Sequence, residues 1–149
     1  MSRWWVAVTL GTSVAIALAV ADPVSDASAQ DQAVSGQATA VERGRYLVHD
    51  VAMCVQCHSP RNENGQIIER QILRGGTVPV DGPSWTADAD WAYLAPDLRA
   101  LARARSDYLT TVLITGERPD GSQPKSPMPS FRLTGEDAQA IVEYLRSLR

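Results

Sequence analysis

The run Cys54-Val55-Gln56-Cys57-His58 constrains the fold of this chain more than any other feature of its sequence. Two intervening residues place the cysteine sulfurs about one helical turn apart, and a histidine follows directly. This C-x-x-C-H pattern is typical of covalent haem attachment. The thiols of Cys54 and Cys57 would add to the two vinyl groups on one porphyrin edge, and His58 would ligate the iron from the proximal side. The sequence therefore predicts one covalent haem c.

Two other uses of these cysteines stay open. An exported pair could form a disulfide or a thiol redox couple, although neither requires the adjacent histidine. A Cys2His2 zinc site is the second alternative, with His49, Cys54, Cys57 and His58 as ligands. Structural zinc sites usually separate two ligand pairs by a dozen or so residues, whereas these four would crowd into one or two helical turns. The spacing therefore favours haem.

The N-terminus has the pattern of a secretory leader. A positive start is followed by an apolar stretch from Trp4 to Ala21 and by the cleavage-type triplet Ala27-Ser28-Ala29, with Ala19-Val20-Ala21 as a second candidate. We expect a signal peptide over residues 1–29 and a periplasmic location, where haem is attached to exported chains. An uncleaved membrane anchor is the alternative, because the stretch approaches the roughly 20 residues that span a bilayer.

The rest of the chain is long enough for one small domain. Residues 30–40 are small and polar and predict a flexible tether, which leaves the folded domain at 41–149. The net charge of −3 shows no excess of basic side chains. This argues against a nucleic-acid partner, for which a clustered basic face is expected.

The apolar pattern predicts helices at both ends of this domain. A first helix runs from Val41 to the haem motif, with Tyr46, Leu47, Val51 and Cys54 on one face and with Gly44 where another helix approaches closely. A last helix starts at Thr134 as N-cap. Ser106 to Thr115 predicts a further helix, capped by Ser106 and stopped by Gly116. Prolines and glycines interrupt residues 77–97, and no strand pattern competes. We therefore expect an all-α fold of about three to five helices with long loops around the haem.

Met128 is the sequence's best candidate for the sixth iron ligand. The other two candidates, Met53 and His49, belong to the helix that carries the attachment site and cannot readily reach the opposite face of the ring. Met128 lies between Pro127 and Pro129, which resist helix formation and stiffen the backbone. A gap-filling role in the core is the alternative for this methionine. A His/Met axial pair is the one expected of electron-carrying haem proteins of this type.

The chain resembles the class I mono-haem cytochromes c in its C-x-x-C-H motif, in Pro127-Met128-Pro129 and in the terminal Glu143-Tyr144-Leu145-Arg146-Ser147-Leu148. Two stretches, 93–98 and 115–121, are similar to the haem domains of cytochrome c subunits that serve periplasmic dehydrogenases. The resemblance implies crossed first and last helices, with Met128 on the distal side. It also implies that the carbonyl group of a proline orients His58, and Pro83 is the proline that we expect in this role.

These features predict an electron carrier rather than an enzyme. The expected partners are redox proteins, with a periplasmic dehydrogenase and a terminal oxidase or another cytochrome as candidates, and no small-molecule substrate binds at the iron. A haem-based gas sensor or a peroxidase-like enzyme with an open sixth site is the alternative. Candidates for contact with the haem propionates are Trp85, Trp91, Tyr93 and Arg99, and candidates for steering an acidic partner are Arg61, Arg70 and Arg74.

Overall fold

The computed structural model describes residues 39–85 and 90–149. These residues form five helices and one two-stranded sheet: α1 (39–51, with a π-helical end at Leu47–Val51), α2 (Val55–His58), β1 (Arg74–Thr77), β2 (Leu94–Asp97), α3 (Leu98–Ala104), α4 (Ser106–Thr115) and α5 (Gly135–Ser147). The predicted leader and most of the tether lie outside the described residues. Residues 39 and 40 are already helical, so α1 extends into the range assigned to the tether. No helix in the described ranges is long and apolar enough to cross a membrane.

The predicted close approach at Gly44 is confirmed, and it is where α1 crosses α5. A Cβ atom added to Gly44 would lie 2.0 Å from the carbonyl oxygen of Ala140 and 2.7 Å from the Cβ of Tyr144. The crossing is tied on one side by an ion pair between Arg43 and Asp137 at 2.9 Å. Only a residue without a side chain fits between the two backbones at this point.

The predicted buried face of α1 is partly wrong. Leu47 and Val48 are buried, as the core requires, but Tyr46 and Val51 are both about half exposed. The last turn of α1 is π-helical. A π turn adds a residue to the turn and rotates the following side chains away from the positions that a regular period of 3.6 residues gives them.

The two later predicted helices are confirmed. The Thr134 side chain accepts a hydrogen bond from the backbone N–H of Asp137 and caps α5. Helix α4 spans the predicted residues and ends at Gly116, whose φ of 70° is left-handed. The prediction that Ser106 caps α4 is wrong, since Arg105 holds the N-cap position and its side chain makes no capping hydrogen bond. Arg105 is the single residue between α3 and α4, so Ser106 becomes the first residue of the helix.

The expectation of an all-α fold holds for the body of the domain but is not complete. Strands β1 and β2 pair antiparallel, with Arg74 opposite Asp97 and Gly76 opposite Ala95. Each strand has four residues, and β1 contains two glycines, which weaken any strand signal in the sequence. Helix α3 follows β2 directly and was also not predicted. Its N-cap is Asp97, whose carboxylate accepts from the N–H of Ala100 at 2.8 Å.

The hydrophobic core joins α1, α3, α4 and α5 and extends to the loop that precedes β1. Its buried members are Leu47, Val48, Val55, Leu73, Leu98, Ala102, Leu109, Leu113, Ala138, Ile141, Val142, Tyr144 and Leu145. Cys54 and Phe131 are partly buried and pack against this cluster. The attachment motif and the loop after Met128 therefore border the same core.

Candidate haem-attachment site

The Cys54-to-His58 motif is set apart from α1 by a sharp change of direction. Helix α1 ends at Val51 with Ala52 as its C-cap, and Met53 then adopts a φ of 49°, a left-handed conformation that is uncommon for a residue with a side chain. The chain turns there and starts α2 with Cys54 as N-cap. The N–H of His58 donates to the carbonyl oxygen of Cys54 at 2.9 Å. One helical turn thus holds Cys54, Cys57 and His58 together, as predicted.

The imidazole of His58 is held in one tautomer. The side chain is 7% exposed, and Nδ1 lies 2.9 Å from the carbonyl oxygen of Pro96. A carbonyl oxygen can only accept, so Nδ1 carries the proton and donates it. Burial lowers the pKa of His58, and the hydrogen bond to Pro96 opposes part of that shift. The ring is therefore neutral near pH 7, and its Nε2 carries a free electron pair suited to binding a metal.

The expected role of Pro83 is wrong, because Pro96 supplies the carbonyl that orients His58. Pro96 is the third residue of β2 and immediately precedes Asp97, the N-cap of α3. The pairing of β2 with β1 and the capped start of α3 hold this carbonyl in place. Pro83 lies in the irregular stretch between the two strands.

The two cysteine side chains are free thiols and half-buried. Burial is the main reason that the pKa of Cys54 rises to about 11, with the neighbouring Cys57 adding to the rise and a backbone hydrogen bond opposing it. A thiol with this pKa stays protonated at neutral pH.

His49, the fourth residue of the alternative zinc site, faces another partner. Its Nε2 lies 2.6 Å from the hydroxyl of Tyr144 on α5, and the two rings meet edge to face. Within residues 39–85 and 90–149, no three or more His, Cys, Asp and Glu side chains are grouped so that they could hold a metal ion. The structure thus gives no support to the zinc alternative.

Met128 lies in the long loop between α4 and α5 and is half-buried. The loop is tied down just before it, where the N–H of Ala92 donates to the carbonyl oxygen of Ser126 at 2.7 Å. It is tied again after it, where Leu133 donates to the carbonyl oxygen of Leu113 at 3.0 Å. The peptide between Ser126 and Pro127 is cis. The two hydrogen bonds hold the segment that carries Met128 on both sides. Met53, by contrast, is 53% exposed.

The residues proposed for the propionates differ in burial and in the hydrogen bonds that they make. Trp91 donates through Nε1 to the carbonyl oxygen of Val80 at 3.3 Å, and Arg99 is buried beside the carbonyl of Ile72. Trp85 is 85% exposed and Tyr93 about half exposed. The indole N–H of Trp91 is thus already used within the chain.

Sequence reasoning missed Ser59, which follows the motif directly. Its side chain is fully buried, and its Oγ accepts from the N–H of Leu73 at 3.0 Å. Leu73 is itself fully buried, with a left-handed φ of 61°. A serine beside a motif carries no signal of this kind in the sequence, because the donor lies 14 residues away.

Replacing Ser59 with alanine leaves the N–H of Leu73 buried without an acceptor. We expect the Ser59→Ala protein to lose about 1–3 kcal/mol of unfolding free energy, the usual cost of one unsatisfied buried donor. Urea unfolding of the haem-loaded protein measures this loss. Ser122→Ala is the matched control, because its exposed Oγ bonds only the side chains of Asp120 and Arg118, and its removal should change stability by less than about 0.5 kcal/mol. Equal midpoints for the two variants would contradict the structural role of Ser59.

The residues present fit a covalently held haem. Two free thiols stand one turn apart, and a neutral imidazole beside them has its Nδ1 engaged and no hydrogen bond to its Nε2 from the part of the chain that the structure describes. Thiol, thiol and imidazole are the donor set that c-type haem requires.

Comparison with known proteins agrees with this chemistry. The family model described as Cytochrome c matches residues 41–149. A relative from Cereibacter sphaeroides named "Diheme cytochrome c-type" is 32% identical over 117 residues, which cover 70% of this chain and 34% of the relative. This chain therefore spans about a third of the length of that relative. With the attachment motif, the crossed terminal helices and the match over the whole described domain, the chain belongs to the cytochrome c family.

Proposed function

We propose that this cytochrome c is an exported, periplasmic one-electron carrier that holds one haem c between His58 and Met128. The observation that carries the proposal is the state of His58, neutral, with Nδ1 bonded to Pro96 and Nε2 free beside two free thiols. When bound, the haem supplies an iron centre that accepts and returns a single electron. Membership of the family supports electron transfer as the activity, and no substrate needs to bind at the iron.

The chain's contribution is to hold and tune the cofactor. The carbonyl of Pro96 fixes the plane of the His58 ring, which limits reorganisation when the iron changes charge. A thioether from Met128 would favour the ferrous state and raise the reduction potential. The thioethers to Cys54 and Cys57 would fix the porphyrin edge next to α2. None of these groups gains or loses a proton when the iron is oxidised or reduced.

We propose that the electron passes through a small, transient interface next to the attachment motif. Arg61 is occupied there, because its guanidinium donates to the carbonyl oxygens of Gly65 and Gln56. Arg70 and Arg74 are exposed and are better suited to steer an acidic partner. The diheme relative is more than twice as long as this chain, since the 117 aligned residues cover 34% of it. We therefore include a second c-type haem domain, beside a periplasmic dehydrogenase or a terminal oxidase, among the candidate partners.

Replacing Met128 with alanine tests the proposed axial pair. We expect the wild-type ferric protein, matured with its haem, to show the weak sulfur-to-iron absorption band, and the Met128→Ala protein to lose it. The potential should fall by an amount on the order of 0.1 V, because a stabilising ligand of the ferrous state is removed. Optical spectra and a mediated redox titration measure both effects.

Met53→Ala is the matched control, since this methionine is exposed and should leave band and potential unchanged. A wild-type spectrum that is high-spin and binds carbon monoxide readily would remove Met128 as ligand and favour a sensor or enzyme. A protein without haem after maturation would overturn the whole proposal.

A further inference from the structure

The side chain of Arg99 on α3 is a buried cation that forms no ion pair within the part of the chain that the structure describes. It is 3% exposed. Among the described residues only Nη1 has a partner, the carbonyl oxygen of Ile72, at 3.4 Å, a long distance for a hydrogen bond. Nε and Nη2 are buried, and neither has a partner in residues 39–85 or 90–149. None of the ion pairs among the described residues includes Arg99, and a guanidinium cannot shed its proton inside a protein.

The charges around Arg99 do not neutralise it. Burial lowers the pKa of Arg99 most, and the nearby guanidinium groups of Arg74 and Arg103 lower it further. Asp97 acts in the opposite direction, as does the ring hydroxyl of Tyr144 more weakly. The Asp97 carboxylate, which also caps α3 by accepting from Ala100, attracts the guanidinium less strongly than either Arg74 or Arg103 repels it. The local field therefore stays positive.

One peptide group connects this cation with the wall behind His58. The carbonyl of Ile72 faces the Arg99 guanidinium, and the N–H of the same peptide, which belongs to Leu73, donates to Ser59 Oγ at 3.0 Å. Nη1 of Arg99 thus lies within about 9 Å of Ser59 Oγ, given standard peptide dimensions. Ser59 follows His58 directly.

A second connection runs through the start of α3. Pro96, whose carbonyl holds His58, is the third residue of β2 and lies three residues before Arg99. Strand β2 continues directly into α3 through the N-cap Asp97, and three residues of chain span at most about 11 Å. The buried charge and the group that orients the imidazole thus lie on one continuous segment.

We propose that Arg99 raises the reduction potential of the haem iron through its uncompensated positive charge in the proximal wall. The inference rests on the proposed function. Ferric iron gains one electron from an external donor and loses one positive charge, while no bond in the chain forms or breaks. A buried cation repels the ferric centre more than the ferrous one and so favours reduction. Salt screens such a buried interaction only weakly.

The test compares haem-loaded Arg99→Met with wild type in mediated redox titrations at low salt and at 0.5 M NaCl. We expect the potential of Arg99→Met to fall, with most of the difference kept at high salt, and Arg99→Lys to stay close to wild type. The unfolding midpoint of Arg99→Met should equal or exceed that of wild type, because an unpaired buried charge is removed. Arg103→Met is the matched control, with the same change four residues along the same helix at an exposed position, and should show no shift at high salt.

Three outcomes would overturn the inference. The first is an unchanged potential in an Arg99→Met protein that keeps its haem spectrum, which would leave the proposed carrier function intact. The second is an equal shift in Arg103→Met, which would indicate a general surface effect. The third is loss of folding in Arg99→Met together with Arg99→Leu, because it would show that the guanidinium has stabilising partners. Failure of the wild-type protein to take up haem would instead contradict the proposed function.

Discussion

Acid-acetone is expected to extract all of the haem from a protein in which Cys54 and Cys57 are both replaced with alanine, and none of it from wild type. The two thiols are the only cysteines in the sequence and the only groups that can form thioethers to the porphyrin. Without them the cofactor is held by its axial ligands and by packing alone. A haem without a covalent link stabilises the fold only by reversible binding, so its contribution is lost when it dissociates. We therefore also expect the double variant to unfold at a far lower urea concentration.

The two single variants test the thioether of each cysteine separately. Cys54→Ala and Cys57→Ala should each keep one thioether, so that the haem stays in the protein while one vinyl group remains conjugated and the reduced spectrum shifts to longer wavelength. Met53→Ala is the control, because this neighbouring residue is exposed and takes no part in the attachment. Haem that resists extraction from the double variant would show that the motif does not attach it.

The elements that the sequence predicts well are those with local signals. Helix α5 has an N-cap at Thr134 and an apolar stripe at helical spacing, and α4 has a stripe that ends at Gly116. Both lie where the sequence places them. Gly44 is informative for a related reason. A glycine inside a helix lowers the stability of that helix, so its presence indicates that another backbone comes close.

The elements that were missed depend on contacts distant in the sequence. Strands β1 and β2 are 16 residues apart and contain Gly75, Gly76 and Pro96, so neither shows the alternation of a strand pattern. Their pairing fixes the position of Pro96 and, through it, the plane of His58. The choice of Pro96 over Pro83 could not be made from the sequence, because a backbone carbonyl looks the same at every proline.

Buried polar side chains were the least predictable part of the site. The sequence presents Ser59 as an ordinary serine and Arg99 as one of several arginines that could face solvent. The structure buries both, one as an acceptor for Leu73 and the other beside the carbonyl of Ile72. Such roles follow from three-dimensional surroundings, which one sequence does not contain.

Gly44→Ala should destabilise the protein by about 3 kcal/mol or more, at the upper end of the range for overpacked sites. The added Cβ would meet the carbonyl oxygen of Ala140 at 2.0 Å, a backbone atom that cannot move unless α5 moves with it. Displacement of α5 would also disturb the hydrogen bond between His49 and Tyr144. Thermal unfolding of the haem-loaded protein measures the effect, with a decrease of about 12 °C or more in Tm expected for a domain of this size.

Gly135→Ala is the matched control, since it makes the same chemical change at the other helix of the crossing. Gly135 is the first residue of α5 and is exposed, and nothing lies within 4 Å of an added Cβ. Its φ is not left-handed, so alanine fits there and restricts the unfolded chain more than glycine does. We expect a gain of roughly 0.5 kcal/mol. Opposite signs for the two variants would establish that contact between the backbones, and not helix propensity, requires glycine at position 44. A small effect of Gly44→Ala would mean that α1 and α5 do not cross as closely as the structure shows.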